Sequence, residues 1–396
     1  MKRPIIFAVL FITCVLGNTF ATDFGVVLYG EFIAEGGDET DTSGKTTLSP
    51  WFSLPLDVGE LFFSAGLGVH YAEKTVFVPE LLRLEYSTIL APFTVRAGRI
   101  PWRDPSGFTA KGLFDGADFS MDLGQIRFGA VAFYTGLLYK NTADINVSPG
   151  DPRDYSLPLD WNDFGDTYFA PRRLIAALYG EFPGLPRHRG NLYAGILAQF
   201  DVSEADKRFH TQYLLLRHTL DYHIFDLSAA GAVELENTKE DGVRAALALS
   251  LDGGARLPLS LKNRLSLGMR WTSGEGSQTA AFFPVIREAQ GLVLKPHFSG
   301  IMVIRTNFEA RLLPSLSAGL GGRYFIRTDS ESFADPDITK DKHPLGAEFF
   351  SSLLWVPYSD LSFSAEGGIF LPKTGTAMRD DAPVRWSLTL GTIFSF

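Results

Sequence analysis

Apolar and polar residues alternate along much of the chain with a period of two, which is typical of a β-strand that has one apolar face. The last stretch, Val384 to Phe396, has apolar residues at every even position except Thr392 and small or polar residues at every odd position except Ile393. The alternation recurs at residues 264–272, 302–311, 315–327 and 361–369. The pattern therefore predicts strands with one apolar and one polar face.

Long and short connections alternate between these strands. Long connections are predicted at about residues 36–44, a polar run, and at 101–114, 139–170, 203–209, 237–242, 274–296, 329–343 and 372–382, and short ones near 123–125, 183–190, 222–224, 256–263, 313–315 and 357–360. Counting the segments gives about 18 strands, and an even number places both ends of the chain on one side. Transmembrane barrels have this arrangement, with short periplasmic turns and long extracellular loops.

A secreted β-sandwich or propeller is the main alternative, because it also alternates and buries its apolar face. It requires neither the alternation of short and long connections nor an apolar terminal strand. In lipid a sheet must close, because an open edge leaves backbone groups unpaired. We therefore predict an all-β fold, a single antiparallel transmembrane barrel, in which the last strand pairs with the strand that contains Tyr29.

The first 21 residues have the features of a secretory signal peptide. Lys2 and Arg3 precede an apolar run, and small residues up to Ala21 provide a cleavage site at the usual spacing. The predicted domains are thus a signal peptide at residues 1–21 and a barrel at residues 22–396. A lipoprotein signal at Cys14, the only cysteine, fits poorly because Thr precedes it and Val follows it.

Composition narrows the possible partners. The formal net charge is −9, so nucleic acid is not predicted as a partner. A hydrophobic content of 45% argues against a disordered chain. No cofactor is predicted.

A barrel of about 18 strands leaves an aqueous channel, so the polar face predicts a pore lining. The predicted pore-lining residues are Arg83, Arg96, Arg127, Arg244, Arg264, Arg270, Arg305, Glu309, Arg311, Arg323, Glu234 and Glu366. The excess of arginine over carboxylate suggests a mildly positive lumen that favours anions. Alternatively, arginine and glutamate pair on the inner wall, for example Arg311 with Glu309, and the sequence leaves both interpretations open.

Motifs for catalysis are not found, and an enzyme is not predicted. The seven histidines lack metal-binding spacing, and there is no Gly-x-Ser-x-Gly elbow. In the loop from Asp151 to Asp166, the side-chain oxygens of Asp160, Asn162 and Asp166 suggest a calcium site, but Phe164 occupies a ligand position and a solvated loop is favoured. We expect this loop to fold into the mouth, where Tyr155, Trp161 and Tyr168 could contact sugars.

Two stretches resemble known families. The alternating last strand ending in Phe396 is similar to the assembly signal of bacterial outer-membrane β-barrels, which implies that lipid and the barrel-assembly machinery are partners. The stretch Gly98-Arg99, Trp102-Arg-Asp-Pro105 and Asp115-Gly-Ala117 resembles alginate-export-type porins. That resemblance implies a monomeric, arginine-lined, 18-stranded channel for an acidic polysaccharide, although a dense Arg/Lys cluster is missing here.

The predicted function is that of an outer-membrane porin for passive diffusion of small hydrophilic solutes, with a preference for anions. Two alternatives remain at this point: an adhesin-like barrel that serves as a scaffold for surface loops, and an alginate-export-like polysaccharide channel. A fatty-acid-transporter-like barrel is a third option, which would need an amino-terminal hatch before the first strand.

Overall fold

The computed structural model describes residues 22–396 except 73, 149–150, 152, 185–189, 203–208, 239–241, 260, 277–278, 331–332, 334 and 339–340. The predicted signal peptide lies outside these residues. Eighteen strands follow one another: β1 Asp23–Gly36, β2 Thr40–Pro55, β3 Glu60–Tyr71, β4 Thr75–Leu90, β5 Phe93–Arg103, β6 Lys111–Asp122, β7 Arg127–Tyr134, β8 Arg173–Pro183, β9 Gly190–Asp201, β10 Phe209–Tyr222, β11 Phe225–Thr238, β12 Gly242–Ala255, β13 Lys262–Thr272, β14 Ile301–Leu313, β15 Leu316–Arg327, β16 Pro344–Tyr358, β17 Leu361–Leu371 and β18 Arg385–Ser395. Two single-turn helices, α1 (Lys140–Ala143) and α2 (Phe164–Thr167), lie in the β7–β8 loop.

The strands form one closed antiparallel barrel. Each strand pairs with its neighbours in sequence, and β1 also pairs with β18 from Val27 opposite Ser395 to Gly36 opposite Trp386. Beyond this ladder, the backbone N–H of Val26 donates to the carbonyl oxygen of Phe396 at 2.7 Å. The predictions of an 18-stranded barrel and of Tyr29 pairing with the last strand are confirmed, with Tyr29 opposite Ile393.

The connections differ in length at the two ends of the barrel. The start of β1 at Asp23 and the end of β18 at Ser395 lie with the short turns, while the long loops are at the other end. Two predicted loops are shorter than expected. The β5–β6 loop spans only residues 104–110, and the polar run after Gly36 belongs to the β1–β2 hairpin, because Asp41 pairs with Glu35. Cross-strand backbone bonds therefore outweigh the low β propensity of that run.

The two faces of the sheet have different chemistry. Large apolar side chains are exposed on the outer face of many strands, among them Phe32, Leu178, Leu214, Leu320 and Leu390. Charged and small side chains occupy the inner face. In the described part of the chain, no helix is long and apolar enough to span a bilayer.

Candidate functional site

The twelve residues that the sequence predicts to line a pore all lie on the inner face. They are Arg83 on β4, Arg96 on β5, Arg127 on β7, Glu234 on β11, Arg244 on β12, Arg264 and Arg270 on β13, Arg305, Glu309 and Arg311 on β14, Arg323 on β15, and Glu366 on β17. Strand parity places them there, because successive side chains of a strand point to opposite faces.

Most of these arginines are paired with carboxylates. The pairs are Arg83–Glu85, Arg96–Asp118, Arg244–Glu275, Arg264–Asp226, Arg270–Glu288, Arg305–Asp252 and Arg323–Glu348. The suggested pair of Arg311 with Glu309 is not formed. Arg311 donates to the Pro314 carbonyl oxygen, while Glu309 accepts from the Asn307 amide at 2.7 Å. The pairing interpretation therefore describes the wall better than an unbalanced positive lumen does.

The β5–β6 loop is organised by one buried carboxylate. Asp104 is fully buried and accepts hydrogen bonds from the backbone N–H groups of Ser106, Phe108 and Thr109 at 2.9–3.1 Å. It also accepts from the hydroxyls of Ser106 and Thr109. An aspartate that accepts from its own following backbone closes a tight turn, so this loop has one defined shape.

Two arginines from the far wall hold this loop across the lumen. The guanidinium of Arg217 on β10 donates to the Pro105 carbonyl oxygen at 3.0 Å, and that of Arg270 on β13 donates to the Gly107 carbonyl oxygen at 3.1 Å. Arg270 also lies 5.0 Å from the ring centre of Phe298. Arg270 thus holds two loops against the wall, in addition to placing a positive charge there.

A second buried carboxylate holds the β13–β14 loop, residues 273–300. Glu348 on β16 is fully buried and accepts hydrogen bonds from three successive backbone N–H groups, those of Leu292, Val293 and Leu294, at 2.9–3.0 Å. The guanidinium of Arg323 donates to the same carboxylate at 2.7 Å. Successive backbone N–H groups form a concave site for an anion, and here the barrel's own glutamate occupies it.

Glu234 gives the same loop a second attachment point. Its carboxylate is fully buried and accepts from the backbone N–H of Phe283 at 2.8 Å. Glu234 and Glu348 lie on β11 and β16, so the loop is fixed at two separated points of the wall. As a result, the loop crosses the lumen instead of extending into solvent.

The beginning of the β7–β8 loop also turns inward, around a buried arginine. Arg173 at the start of β8 is fully buried between Asp151 and Asp201, and it also donates to the Asn146 carbonyl oxygen. Next to it, Ile145 forms a backbone bridge with Ile286 of the β13–β14 loop. The two loops are therefore joined inside the barrel.

Loop and wall side chains form an apolar core within the half of the barrel that carries the long loops. Phe108, Ile145, Phe282, Val285 and Phe298 come from the loops and are each at most 4% exposed. They pack in one cluster with inward-facing wall residues, which include Trp102, Phe133, Leu197, Tyr213, Val303 and Phe325. These loops therefore narrow the lumen. The side chains that do so are closely packed, as in a protein interior.

Ionic contacts accompany this core. Burial by itself raises the pKa of Glu288, but the charge and hydrogen bond of Arg270 and the hydrogen bond from Gln290 outweigh it, so the pKa lies below its usual value. The Glu288 carboxylate is therefore ionised at neutral pH. It therefore keeps its attraction for Arg270 at neutral pH.

The lumen at the short-turn end is open. A cavity of about 780 Å³ lies at this mouth, and Arg256, Lys262, Arg264 and Arg311 outnumber Glu309 and Glu366 among its charged lining residues. A second cavity of about 620 Å³ lies deeper and has balanced charges, with Arg217, Arg264, Arg305 and Arg323 facing Asp221, Asp226, Asp252 and Glu309. Of these two cavities, only the one at the mouth has more positive than negative side chains.

The loop from Asp151 to Asp166 differs from the expectation. Asp160 accepts from the backbone N–H of Asn162 and Asp166 pairs with Arg153, so two of the three suggested calcium ligands hold the loop itself. Among the described residues, no group of three His, Cys, Asp or Glu side chains is placed to hold a metal ion. Tyr155 and Tyr168 are buried, and only Trp161 remains exposed, so a sugar site of all three rings is wrong.

Replacing Glu348 with glutamine should loosen the β13–β14 loop. The amide offers one weaker acceptor to three N–H donors, and a poorly satisfied buried donor costs about 1–3 kcal/mol. We expect faster cleavage by protease within residues 273–300 and more frequent current fluctuations in bilayer recordings. Glu366→Gln, an inner-face change at the open mouth, is the matched control, and equal behaviour of the two variants would contradict the role of Glu348.

Comparisons with known proteins give matches in structure only. No protein-family model matches the chain, and no curated protein does either. The structure is similar to Pseudomonas aeruginosa OprD, with a TM-score of 0.60 and 12% identity over 95% of both chains. It is also similar to Pseudomonas aeruginosa OccK2 (OpdF), crystallised in complex with glucuronate, with a TM-score of 0.63 and 13% identity over 95% of this chain and 97% of that one. The chain therefore has the fold of the outer membrane protein OprD and of OccK2.

Proposed function

We propose that the chain is an outer-membrane porin, a channel for passive diffusion of small hydrophilic solutes that favours those carrying a carboxylate. A closed barrel with an apolar outer face satisfies every backbone group in lipid, which supports placement in the membrane. The signal peptide at residues 1–21 and recognition of β18 by the barrel-assembly machinery belong to the same proposal.

The lining of the open mouth is the observation that supports a preference for solutes with a carboxylate. Its four cationic side chains stand among hydroxyl groups of Ser317, Ser352 and Ser364. A guanidinium binds a carboxylate with paired hydrogen bonds, and neighbouring hydroxyls can accept or donate to a sugar. OccK2, which has the same fold, was crystallised with glucuronate, and this supports a small sugar acid as the solute.

Liposome swelling tests the proposal. Liposomes that contain the refolded protein should swell faster in glucuronate than in glucose, because the two sugars have similar size and differ in the carboxylate. Swelling in neither solute would contradict the channel, and it would favour the adhesin-like scaffold. Faster swelling in glucose would contradict only the preference for carboxylates.

Two inner-wall arginines without a carboxylate partner should contribute most to ion selectivity. Arg127 donates to the Ser120 hydroxyl and Arg311 to the Pro314 carbonyl oxygen, so neither guanidinium is in direct contact with a carboxylate. The double variant Arg127→Gln, Arg311→Gln is expected to shift the reversal potential in a salt gradient toward cation preference, most clearly at low salt. Arg379→Gln, which removes an arginine paired with Asp337 in a loop, should leave the potential unchanged.

A substitution at Leu320 tests which face of the barrel contacts lipid. Its side chain is 63% exposed on the outer face of β15. Leu320→Arg should destabilise the barrel by about 2–4 kcal/mol if the side chain lies near the bilayer midplane. The measurement is urea unfolding in lipid vesicles, and Ser317→Arg on the inner face is the control. Equal destabilisation by both variants would mean that the outer face does not contact lipid.

A further inference from the structure

The barrel wall is incomplete between β4 and β5 on the side of the long loops. The two strands pair only from Leu90 opposite Phe93 to Leu84 opposite Arg99. Beyond Leu84, β4 continues to Thr75 while paired with β3 alone. The exposed apolar side chains of Leu67, Val69 and Phe77 flank this part of the wall, so it lies within the apolar outer belt.

Side chains replace the missing strand. The carbonyl oxygens of Phe77, Pro79 and Leu81 accept from the Trp161 indole at 3.1 Å, the Tyr168 hydroxyl at 2.9 Å and the Arg99 guanidinium at 2.7 Å, respectively. Pro79 fits this edge, because a proline lacks the N–H that a neighbouring strand would need. We call this region, β4 residues 77–81 with Arg99, Tyr139, Trp161, Phe164 and Tyr168, the seam.

A continuous line of aromatic rings runs through the seam. It begins with Phe77 on the outer face, passes Trp161, Phe164, Tyr168 and Tyr139, and ends at His70 on the inner face. Successive ring centres are 6.2, 5.6, 4.5, 4.9 and 6.4 Å apart. Phe77 and Trp161 are half exposed, whereas Tyr168 and Tyr139 are buried.

The seam has weaker attachments than the rest of the wall. The hydrogen bonds of Trp161 and Tyr168, ring contacts and one bond from the Thr142 hydroxyl to Glu80 at 3.0 Å connect the loop to β4. Arg99 of β5 adds one side-chain bond to Leu81, whereas other neighbouring strands share a backbone ladder. The beginning of the same loop is fixed elsewhere, by Arg173 and by the bridge between Ile145 and Ile286. Separation of the loop from β4 would therefore be local and would leave the loops in the lumen in place.

From this geometry we infer that the seam is a side entrance between the outer leaflet and the lumen for small aromatic solutes. The rings provide stacking partners along the whole thickness of the wall. Both charged groups at the seam have partners: Arg99 pairs with Asp115 at 2.7 Å, and Glu80 accepts from the Thr142 hydroxyl at 3.0 Å. This route goes beyond the proposed diffusion of hydrophilic solutes and uses a different part of the barrel.

A reversible crosslink tests the inference. In the double variant Glu80→Cys, Thr142→Cys, a short bis-methanethiosulfonate reagent joins the two thiols through disulfides and locks the loop to β4, because the Thr142 hydroxyl lies 3.0 Å from the carboxylate end of the Glu80 side chain. The protein is expressed in a Gram-negative host without its major porins, and entry of the aromatic probe 1-N-phenylnaphthylamine is followed by its fluorescence. Periplasmic hydrolysis of a hydrophilic β-lactam reports the main channel in the same cells. The two single-cysteine variants are the controls.

We expect the crosslink in the double variant to reduce probe entry to the rate of host cells without the protein, and a reductant to restore it. Hydrolysis of the β-lactam should stay the same. The inference is overturned if probe entry in the reduced state is no faster than in the bare host, or if the crosslink does not change it. A fall in both readouts would show that the loop acts on the main channel, which also contradicts a separate entrance.

A second variant avoids the disulfide. Tyr168→Phe keeps the ring and removes the hydroxyl that donates to Pro79, so the seam should open more often and probe entry should rise by about fivefold, as expected for the loss of one hydrogen bond. Tyr324→Phe, which removes a hydroxyl bonded to the Thr374 carbonyl oxygen elsewhere in the barrel, is the matched control. Equal probe entry in the two variants would contradict the inference.

Discussion

Replacing residues 282–297 of the β13–β14 loop with a short Gly-Ser linker should raise single-channel conductance severalfold. This segment contributes Phe282, Val285 and Leu294 to the core that narrows the lumen, and all three are nearly fully buried. The deletion retains Ser273 and Ala280, whose backbone N–H groups donate to the carbonyl oxygens of Leu247 and Ala245 on β12. An 18-stranded barrel without such loops leaves a wide aqueous channel.

Lys295→Gln is the control for this deletion. Lys295 lies in the same loop but is half exposed and makes only a surface pair with Glu35, and such pairs contribute little to stability. Its conductance should match that of the unmodified protein. Unchanged conductance after the deletion would mean that the narrowest part of the path lies elsewhere, for example at the β5–β6 loop held by Arg217 and Arg270.

Deleting Trp386–Phe396 should abolish assembly. This change removes nearly all of β18, and with it the pairs from Val27 opposite Ser395 to Gly36 opposite Trp386 and the last bonds between Phe396 and Val26. Both β1 and β17 would then have unpaired edges, which lipid cannot satisfy. The deleted protein should show no heat-modifiable band in gel electrophoresis and should accumulate in the periplasm.

Two point variants separate the faces of the same strand. Phe394 is exposed on the outer face opposite Leu28, whereas Ser395 lies on the inner face opposite Val27. Phe394→Asp should reduce the folded fraction strongly, because it places a charge in the apolar belt, and Ser395→Asp should fold normally. Similar folding of both variants would contradict the lipid contact of β18.

The period-two pattern was sufficient to predict the barrel and the facing of individual residues. Arg305 and Arg323 lie on the inner face and Leu320 lies on the outer face, because parity is fixed once the strands and their register are known. The alternation of short and long connections was also predictable, because the short turns interrupt the period-two pattern only briefly. Strand ends were less certain, since the polar run after Gly36 continues as strand.

The interior of the loop half could not be predicted, because its contacts join residues that are distant in sequence. Arg173 meets Asp151 and Asp201 only after β8, β9 and the β7–β8 loop are in place. Glu348 and Asp104 carry no pattern that distinguishes them from solvated acids in the sequence. Arg270 was predicted as a pore charge, and only the folded loops show that it also tethers Gly107.

Single-channel recording of the unmodified protein in a planar bilayer tests the central claim most directly. A diffusion channel with partly neutralised inner-wall arginines and a cationic mouth predicts discrete conductance steps and, in a salt gradient, a reversal potential with weak anion preference that decreases at high salt. If neither the unmodified protein nor the variant with residues 282–297 replaced showed conductance steps, a channel function for this barrel would be contradicted.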